Sequence, residues 1–209
     1  MPIAQYDGVL FDLDGTLFDA DYDWPWIKAQ LGMTYPDGSI LDYLQSLEDG
    51  ERAELERFLV SVEDEATDNG CLRDGVPALL ERLADLGLKR ALVTNNRRRN
   101  ADLVLDRYRL CFEAVVTRDD GVYKPSGEPL AEAARRIDCS PERLVYVGDN
   151  ELDVRAARDA GIGHLIIISD DPDQFRGRCD ALASHVDEVH QAIERLVQTG
   201  RGPSSINDR

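Results

Sequence analysis

Two aspartates one residue apart, Asp12 and Asp14, close the apolar run Gly8-Val9-Leu10-Phe11 and are followed by Gly15 and Thr16. Carboxylates are costly to bury alone, so a cation, hydrogen-bond donors or solvent must meet this pair. An aspartate can also accept a phosphoryl group covalently. The plainer alternative is a strand that ends in an Asp-Gly turn. Three further groups follow along the chain. Thr94-Asn95 closes Arg90-Ala91-Leu92-Val93, Lys124-Pro125 lies in a polar stretch, and Asp149 and Asp153 come after Leu144-Val145-Tyr146-Val147-Gly148. Each also has a bland counterpart: a helix cap for Thr94-Asn95, a favourable dipole position for Asp149 and Asp153, and a solvated loop side chain for Lys124.

The elements that must position these groups alternate. Short apolar runs at 8–11, 89–93, 114–117, 144–147 and 164–168 read as strands, with a further short one at Ala181-Leu182. Amphipathic segments separate them; one starts at Pro77, carries Leu79, Leu80, Leu83 and Leu86, and is closed by Gly87. Strands spaced by helices imply right-handed crossovers and a mainly parallel sheet, an α/β fold. In such a sheet the carboxyl ends of the strands line one edge, where ligands bind. Asp12, Asp14, Thr94, Asn95, Asp149 and Asp153 all belong to that edge, and Lys124, in the long loop 118–127, can reach it.

Residues 20–74 have a different character. A short helix is expected at 21–31, then loop chemistry at 34–39, a helix capped by Ser39 with Asp42 at the capping-box position, a break at Asp49-Gly50, and a helix at 51–68 ended by Asn69-Gly70. No strand-like run of useful length occurs there. The organisation expected is a discontinuous core, 1–18 and 75–209, with a small helical cap at 19–74 inserted after the first strand. Residues 200–209 read as a frayed polar tail.

The ordered set Phe11-Asp12-Leu13-Asp14-Gly15-Thr16-Leu17, Leu92-Val93-Thr94-Asn95, Lys124-Pro125 and Gly148-Asp149-Asn150-Glu151-Leu152-Asp153 resembles the phosphatase branch of the haloacid dehalogenase superfamily. It is similar in layout to phosphoglycolate phosphatases and β-phosphoglucomutases with a type-one cap. The resemblance implies a Rossmann-like three-layer core and a phosphoric monoester hydrolase that works through an aspartyl-phosphate. It makes Asp12 the nucleophile and Asp14 the general acid/base. It makes Thr94 a phosphoryl-binding hydroxyl, joined by the Asn95 backbone N–H, and Lys124 the cation that offsets charge on Asp12 and phosphate. Mg²⁺ would be held by the Asp12 and Asp149 carboxylates and the Asp14 backbone carbonyl, with Asp153 supporting Lys124 or the metal surroundings. The implied partner is a small phosphorylated metabolite.

The totals narrow the alternatives. In 209 residues the net charge is −17, which argues against nucleic acid and anionic membrane surfaces as partners. No apolar run nears the roughly 20 residues of a membrane span. The N-terminus lacks signal-peptide features, so a cytoplasmic protein is expected. Cys71, Cys111, Cys139 and Cys179 have no metal-site spacing, and His164, His185 and His190 form no ligand pair. An EF-hand would need glycine where Leu17 stands, and no nucleotide-binding Gly-rich Lys motif occurs. A true dehalogenase would lack Asp14. A phosphomutase is the nearest alternative, but Phe18-Asp19-Ala20-Asp21-Tyr22-Asp23 lacks the histidine of phosphoglucomutase relatives. A non-catalytic binding protein on the same fold has no need of the whole set. Lys28, Arg52, Arg57, Trp24, Trp26 and Tyr43 are the cap side chains available for selectivity, with solvation or packing as their simpler role. Monomer and homodimer are equally compatible with the sequence.

Overall fold

Apolar residues on both faces of one short strand decide where it must lie. Val9, Leu10 and Phe11 are wholly buried, and strand β1 (Gly8–Phe11) takes a central place in a six-stranded parallel sheet. The computed structural model describes residues 6–34 and 38–199. The expected tail at 200–209 and positions 35–37 of the expected loop lie outside the described residues. The other core strands are β4 (Lys89–Val93), β5 (Ala114–Val116), β6 (Leu144–Gly148), β7 (His164–Ile168) and β8 (Ala181–Ala183), and the spatial order is β5-β4-β1-β6-β7-β8.

Alternate side chains point to opposite faces of a strand, and two hydrophobic layers result. Val9, Phe11, Leu92, Val145, Val147 and Ile166 pack with helices α4 (Val76–Asp85), α5 (Arg98–Tyr108) and α8 (Val186–Thr199). Leu10, Ala91, Val93, Tyr146 and Ile167 pack with α6 (Glu128–Arg136) and α7 (Glu151–Asp159). This is the expected three-layer α/β architecture. The register aligns Phe11 with Leu92 on one side and Val147 on the other. The next residues, Asp12, Val93 and Gly148, therefore reach the same edge together, and the Asp12 N–H donates to the Val147 carbonyl at 2.9 Å.

Between β1 and α4 the described residues form three helices: α1 (Trp24–Gln30), α2 (Ile40–Gln45) and α3 (Asp49–Asn69). The Asp23 carboxylate caps α1 by accepting from the Trp26 N–H at 3.0 Å. Ser39 caps α2 as expected, accepting from the Asp42 N–H at 3.3 Å. Ile27, Leu31, Leu44 and Leu59 form a separate small core. Two expectations are corrected. Asp49-Gly50 does not precede α3 but forms its first turn, where a carboxylate is favoured by the helix dipole. The segment is also not all helix: β2 (Phe18–Asp19) and β3 (Cys71–Leu72) pair antiparallel, Phe18 with Leu72 and Asp19 with Cys71. Two residues are too few to show a period, and this ribbon closes the insertion at its base.

Among the described residues no helix is long and apolar enough to cross a membrane. The ribbon fits tightly against the end of α3. A Cβ on Gly70 would lie 2.5 Å from the Phe18 ring and 2.7 Å from the Asp19 carbonyl oxygen. Gly70→Ala is expected to cost about 1–3 kcal/mol through overpacking, read from urea unfolding. A stability equal to wild type would contradict this packing.

Candidate active site

A buried lysine organises the sheet edge. Lys124 Nζ lies 2.7 Å from Asp12 Oδ1 and 2.7 Å from Asp153 Oδ1. It also donates to the Tyr146 hydroxyl at 3.2 Å, and that hydroxyl donates to Asp153 Oδ1 at 2.6 Å. The other Asp153 oxygen accepts the backbone N–H groups of Asp149 and Asn150 at 3.0 and 3.1 Å. Asn150 in turn caps α7, its side-chain oxygen accepting the Leu152 N–H at 2.8 Å. Loop and helix start are thus fixed by one carboxylate. Burial opposes the Asp153 charge, yet Lys124 and the Tyr146 hydroxyl more than compensate and hold its pKa below the usual range. Burial likewise opposes the Lys124 charge, but Asp12 and Asp153 keep it firmly protonated.

Asp12 and Asp149 are less well compensated. Burial pushes Asp12 up to about 7 against the pull of Lys124. Asp149 is raised well above the ordinary range by burial and by the charges of Asp153 and Asp12. One oxygen from each of Asp12, Asp149 and Asp153 falls within 4.8 Å of the others. Three carboxylates facing one ammonium leave a deficit of positive charge, and an all-oxygen donor set suits a hard divalent cation. Both Asp153 oxygens already serve Lys124, Tyr146 and backbone donors, so Asp12 and Asp149 are the pair with capacity for a metal. Gly15 (φ +83°) makes the approach possible, because a Cβ there would sit 2.2 Å from Asp149 Oδ2.

Asp14 turns toward the insertion. Its Oδ2 accepts from Thr94 Oγ1 at 3.4 Å and from Asn96 Nδ2 at 3.2 Å. Asn96 Nδ2 also reaches the Tyr22 hydroxyl at 3.3 Å, and the Asn96 N–H donates to Thr94 Oγ1 at 3.0 Å. Burial raises Asp14 to about 6 in spite of the Asn96 donor. That suits a group which must hold a proton and then release it.

Asn95 has a task its place beside Thr94 did not indicate. Its side chain grips the Lys124 backbone, Nδ2 donating to the Lys124 carbonyl and Oδ1 accepting the Lys124 N–H, both at 2.8 Å. Tyr146, Asn96, Tyr22, Glu63 and Arg118 were not singled out from the sequence. Some signals were present. Tyr146 is the one polar aromatic in an aliphatic strand, and Glu63 follows Leu59 at helical spacing on a face of α3 where Leu59, Glu63 and Thr67 are all buried. Its partner Arg118, fifty-five positions away, has no local signature.

These groups line a cavity of about 910 Å³ between the sheet edge and the insertion, to which Tyr22, Trp24, Lys28 and Glu63 contribute. Of the other insertion side chains singled out earlier, Trp26 packs on Phe58 with ring centroids 5.9 Å apart. Arg52 pairs with Asp49, and Arg57 donates to the Ala53 carbonyl at 3.1 Å. Trp26 thus ties α1 to α3, and the two arginines serve α3 itself.

A family model for haloacid dehalogenase-like hydrolases matches residues 6–161. The chain is 33% identical over 175 residues to a phosphoglycolate phosphatase of Xanthomonas campestris pv. campestris, spanning 74% of this chain and 79% of that protein. It is 27% identical over 223 residues to the N-acetylmuramic acid 6-phosphate phosphatase of Pseudomonas aeruginosa, spanning 94% of this chain and 99% of that protein. A hydrolase from Pseudomonas syringae shares the fold with a TM-score of 0.76 at 21% identity, covering 92% of this chain and 100% of that one.

Folded Asp14 keeps its proton up to about pH 6, whereas an unfolded aspartate loses it near 3.9. Between those values the folded state binds more protons, so Asp14 lowers stability as pH rises through the window. In EDTA, the stability of wild type relative to Asp14→Asn is expected to fall from about pH 4 to about pH 6. A difference that stays constant with pH would contradict the burial of this carboxyl.

Proposed function

The chain belongs to the haloacid dehalogenase-like hydrolase family, and from that premise we propose that it is a Mg²⁺-dependent phosphatase of a small phosphorylated metabolite. The observation that carries this reading is the meeting of Asp12, Lys124 and Asp149 at one buried edge with Asp14 and Thr94 beside them. Relatives named for phosphoglycolate and N-acetylmuramic acid 6-phosphate support a small phosphomonoester as the substrate class. We assign residues 19–74 to a cap and the remainder to the catalytic core.

The proposed chemistry has two displacements. Asp12 attacks phosphorus, the bond from phosphorus to the leaving oxygen breaks, and Asp14 gives its proton to that oxygen. An aspartyl-phosphate remains. Asp14, now ionised, takes a proton from a water that attacks the same phosphorus, and the bond to Asp12 breaks to release inorganic phosphate. Thr94 and the Asn95 N–H hold non-bridging oxygens. Lys124 offsets the repulsion between Asp12 and an anionic phosphate, the electrostatic task that dominates phosphoryl transfer. Mg²⁺, held by the Asp12 and Asp149 carboxylates and the Asp14 carbonyl, would supply further neutralisation of phosphate charge.

Phosphate release from a panel of sugar phosphates, phosphoglycolate and nucleotides tests the reading. Turnover of at least one member is expected with Mg²⁺ and not with EDTA. Release from none, by folded protein in Mg²⁺, would overturn it. Asp12→Asn is expected to lower kcat about 10³-fold or more, since catalytic groups that act as a unit fail together. Retained turnover would refute Asp12 as the nucleophile. Mg²⁺ should also raise the Tm of wild type, because a ligand of the folded state stabilises it. The shift should vanish in Asp149→Asn, and an undiminished shift would move the metal elsewhere.

A further inference from the structure

Among the described residues the proposed mechanism leaves one buried ion pair without a task. Glu63, in the middle of α3, is 4% exposed, and it meets Arg118 in a two-pronged pair. Nη1 reaches Oε1 at 2.5 Å and Nη2 reaches Oε2 at 2.7 Å. Arg118 follows β5 in the core, so the pair joins the insertion to the sheet. Neighbouring contacts strengthen the junction: Arg97 Nε lies 3.7 Å from Glu63 Oε2, and Arg99 Nη1 lies 3.0 Å from Asp64 Oδ1.

A buried pair of this kind is weak evidence for stability, because well-packed apolar side chains can do as well or better. Arg118 does something an apolar side chain could not. Its Nη1 also donates to the Asn95 backbone carbonyl at 3.0 Å. The Asn95 side chain holds both backbone polar atoms of Lys124 at 2.8 Å. Lys124 Nζ in turn lies 2.7 Å from Asp12. A line of hydrogen bonds closed by an ion pair thus runs from the insertion through Arg118, Asn95 and Lys124 to the proposed nucleophile.

We propose that Arg118 is a positioning residue that makes the placement of Lys124 against Asp12 depend on the docking of α3. With Glu63 in place, the guanidinium is oriented and neutralised, and its remaining hydrogen bond fixes the Asn95 turn. Once Glu63 withdraws, the guanidinium loses both its orientation and its countercharge, and the clamp on Lys124 loosens. The insertion would then take part in preparing the charge constellation as well as covering the cavity. Only the kinetic consequence of this proposal rests on the phosphatase reading; the mechanical link stands apart from it.

The test uses the full chain with Glu63→Gln, Arg118→Gln, Arg118→Lys and the double variant Glu63→Gln/Arg118→Gln. Hydrogen exchange at the Lys124 amide, which bonds Asn95 Oδ1, reads the link directly. It should accelerate about tenfold or more in the Gln variants, while the Asp12 amide in the sheet keeps its protection, because local openings are separable from global unfolding. With an aryl phosphate and Mg²⁺, kcat should fall about tenfold at unchanged KM, since small misplacements of catalytic groups are costly. Arg118→Lys should fail to rescue, lacking the fork that serves Glu63 and Asn95 together. The double variant should be no slower than the worse single one, as expected of groups in one line of contact.

Unchanged Lys124 protection in folded Arg118→Gln would overturn the proposal whether or not the protein turns over the probe. A raised KM with unchanged kcat would overturn it too, making Arg118 a substrate-binding group. Failure of wild type to release phosphate from the aryl phosphate and from every member of the panel would sink the phosphatase reading, and the exchange comparison would still decide the link. If Arg118→Gln does not fold, the isosteric Glu63→Gln carries the same comparison.

Discussion

One ammonium group shared among buried acids governs the rest of this molecule. Lys124 sits against Asp12 and Asp153, with the Tyr146 hydroxyl bridging to Asp153. Each of these groups alone would be expensive to bury. Together they compensate one another, provided that four separate segments arrive within hydrogen-bonding distance. The parallel register of β1 with β4 and β6 brings three of them to one edge: the end of β1 with Asp12, the end of β4 with Asn95, and β6 running into α7 with Tyr146 and Asp153. The fourth, the loop that carries Lys124, is held from behind by the Asn95 amide. The sheet therefore serves as a levelling device, and the charges are placed by where its strands stop.

The core was legible from sequence because its signals are local. Apolar runs such as Leu144-Val145-Tyr146-Val147 mark buried strands, and Pro77 and Gly87 punctuate a helix whose leucines share a face. Asp12, Thr94 and Asp149 at the edge were legible for the same reason, since each stands directly after such a run. What sequence reading missed depends on partners far along the chain or on elements too short to show a period. The β2–β3 ribbon has two residues a side. Asp49-Gly50 reads as a break by composition, yet the helix dipole accepts it as a first turn. Arg118 and Glu63 are each ordinary in their own surroundings and acquire meaning only when α3 lies against the loop after β5. Asn95 was noticed for its backbone, while its side chain holds the lysine.

The cavity joins two structures with separate hydrophobic interiors. The sheet packs its own two layers, and α1, α2 and α3 gather around Ile27, Leu31, Leu44 and Leu59. Tyr22 and Ala66 pack on the sheet core, and polar links join the two at the site: Tyr22 through Asn96 to Asp14, and Glu63 to Arg118. Hydrogen bonds and ion pairs need specific geometry, so a polar junction defines a closed arrangement sharply while contributing little net stability.

The short ribbon at the base of the insertion has a consequence for how proteins of this build diversify. It sets Asp19 beside Cys71, so everything between them is a closed excursion whose two ends already meet. Loop-closure entropy grows slowly, by about 0.6 kcal/mol for each doubling of length. The excursion can lengthen or shorten at that gate while the strand ends that hold Asp12, Thr94 and Asp149 keep their register. Length changes beyond that gate are thereby kept apart from the sheet edge, except where Glu63 meets Arg118.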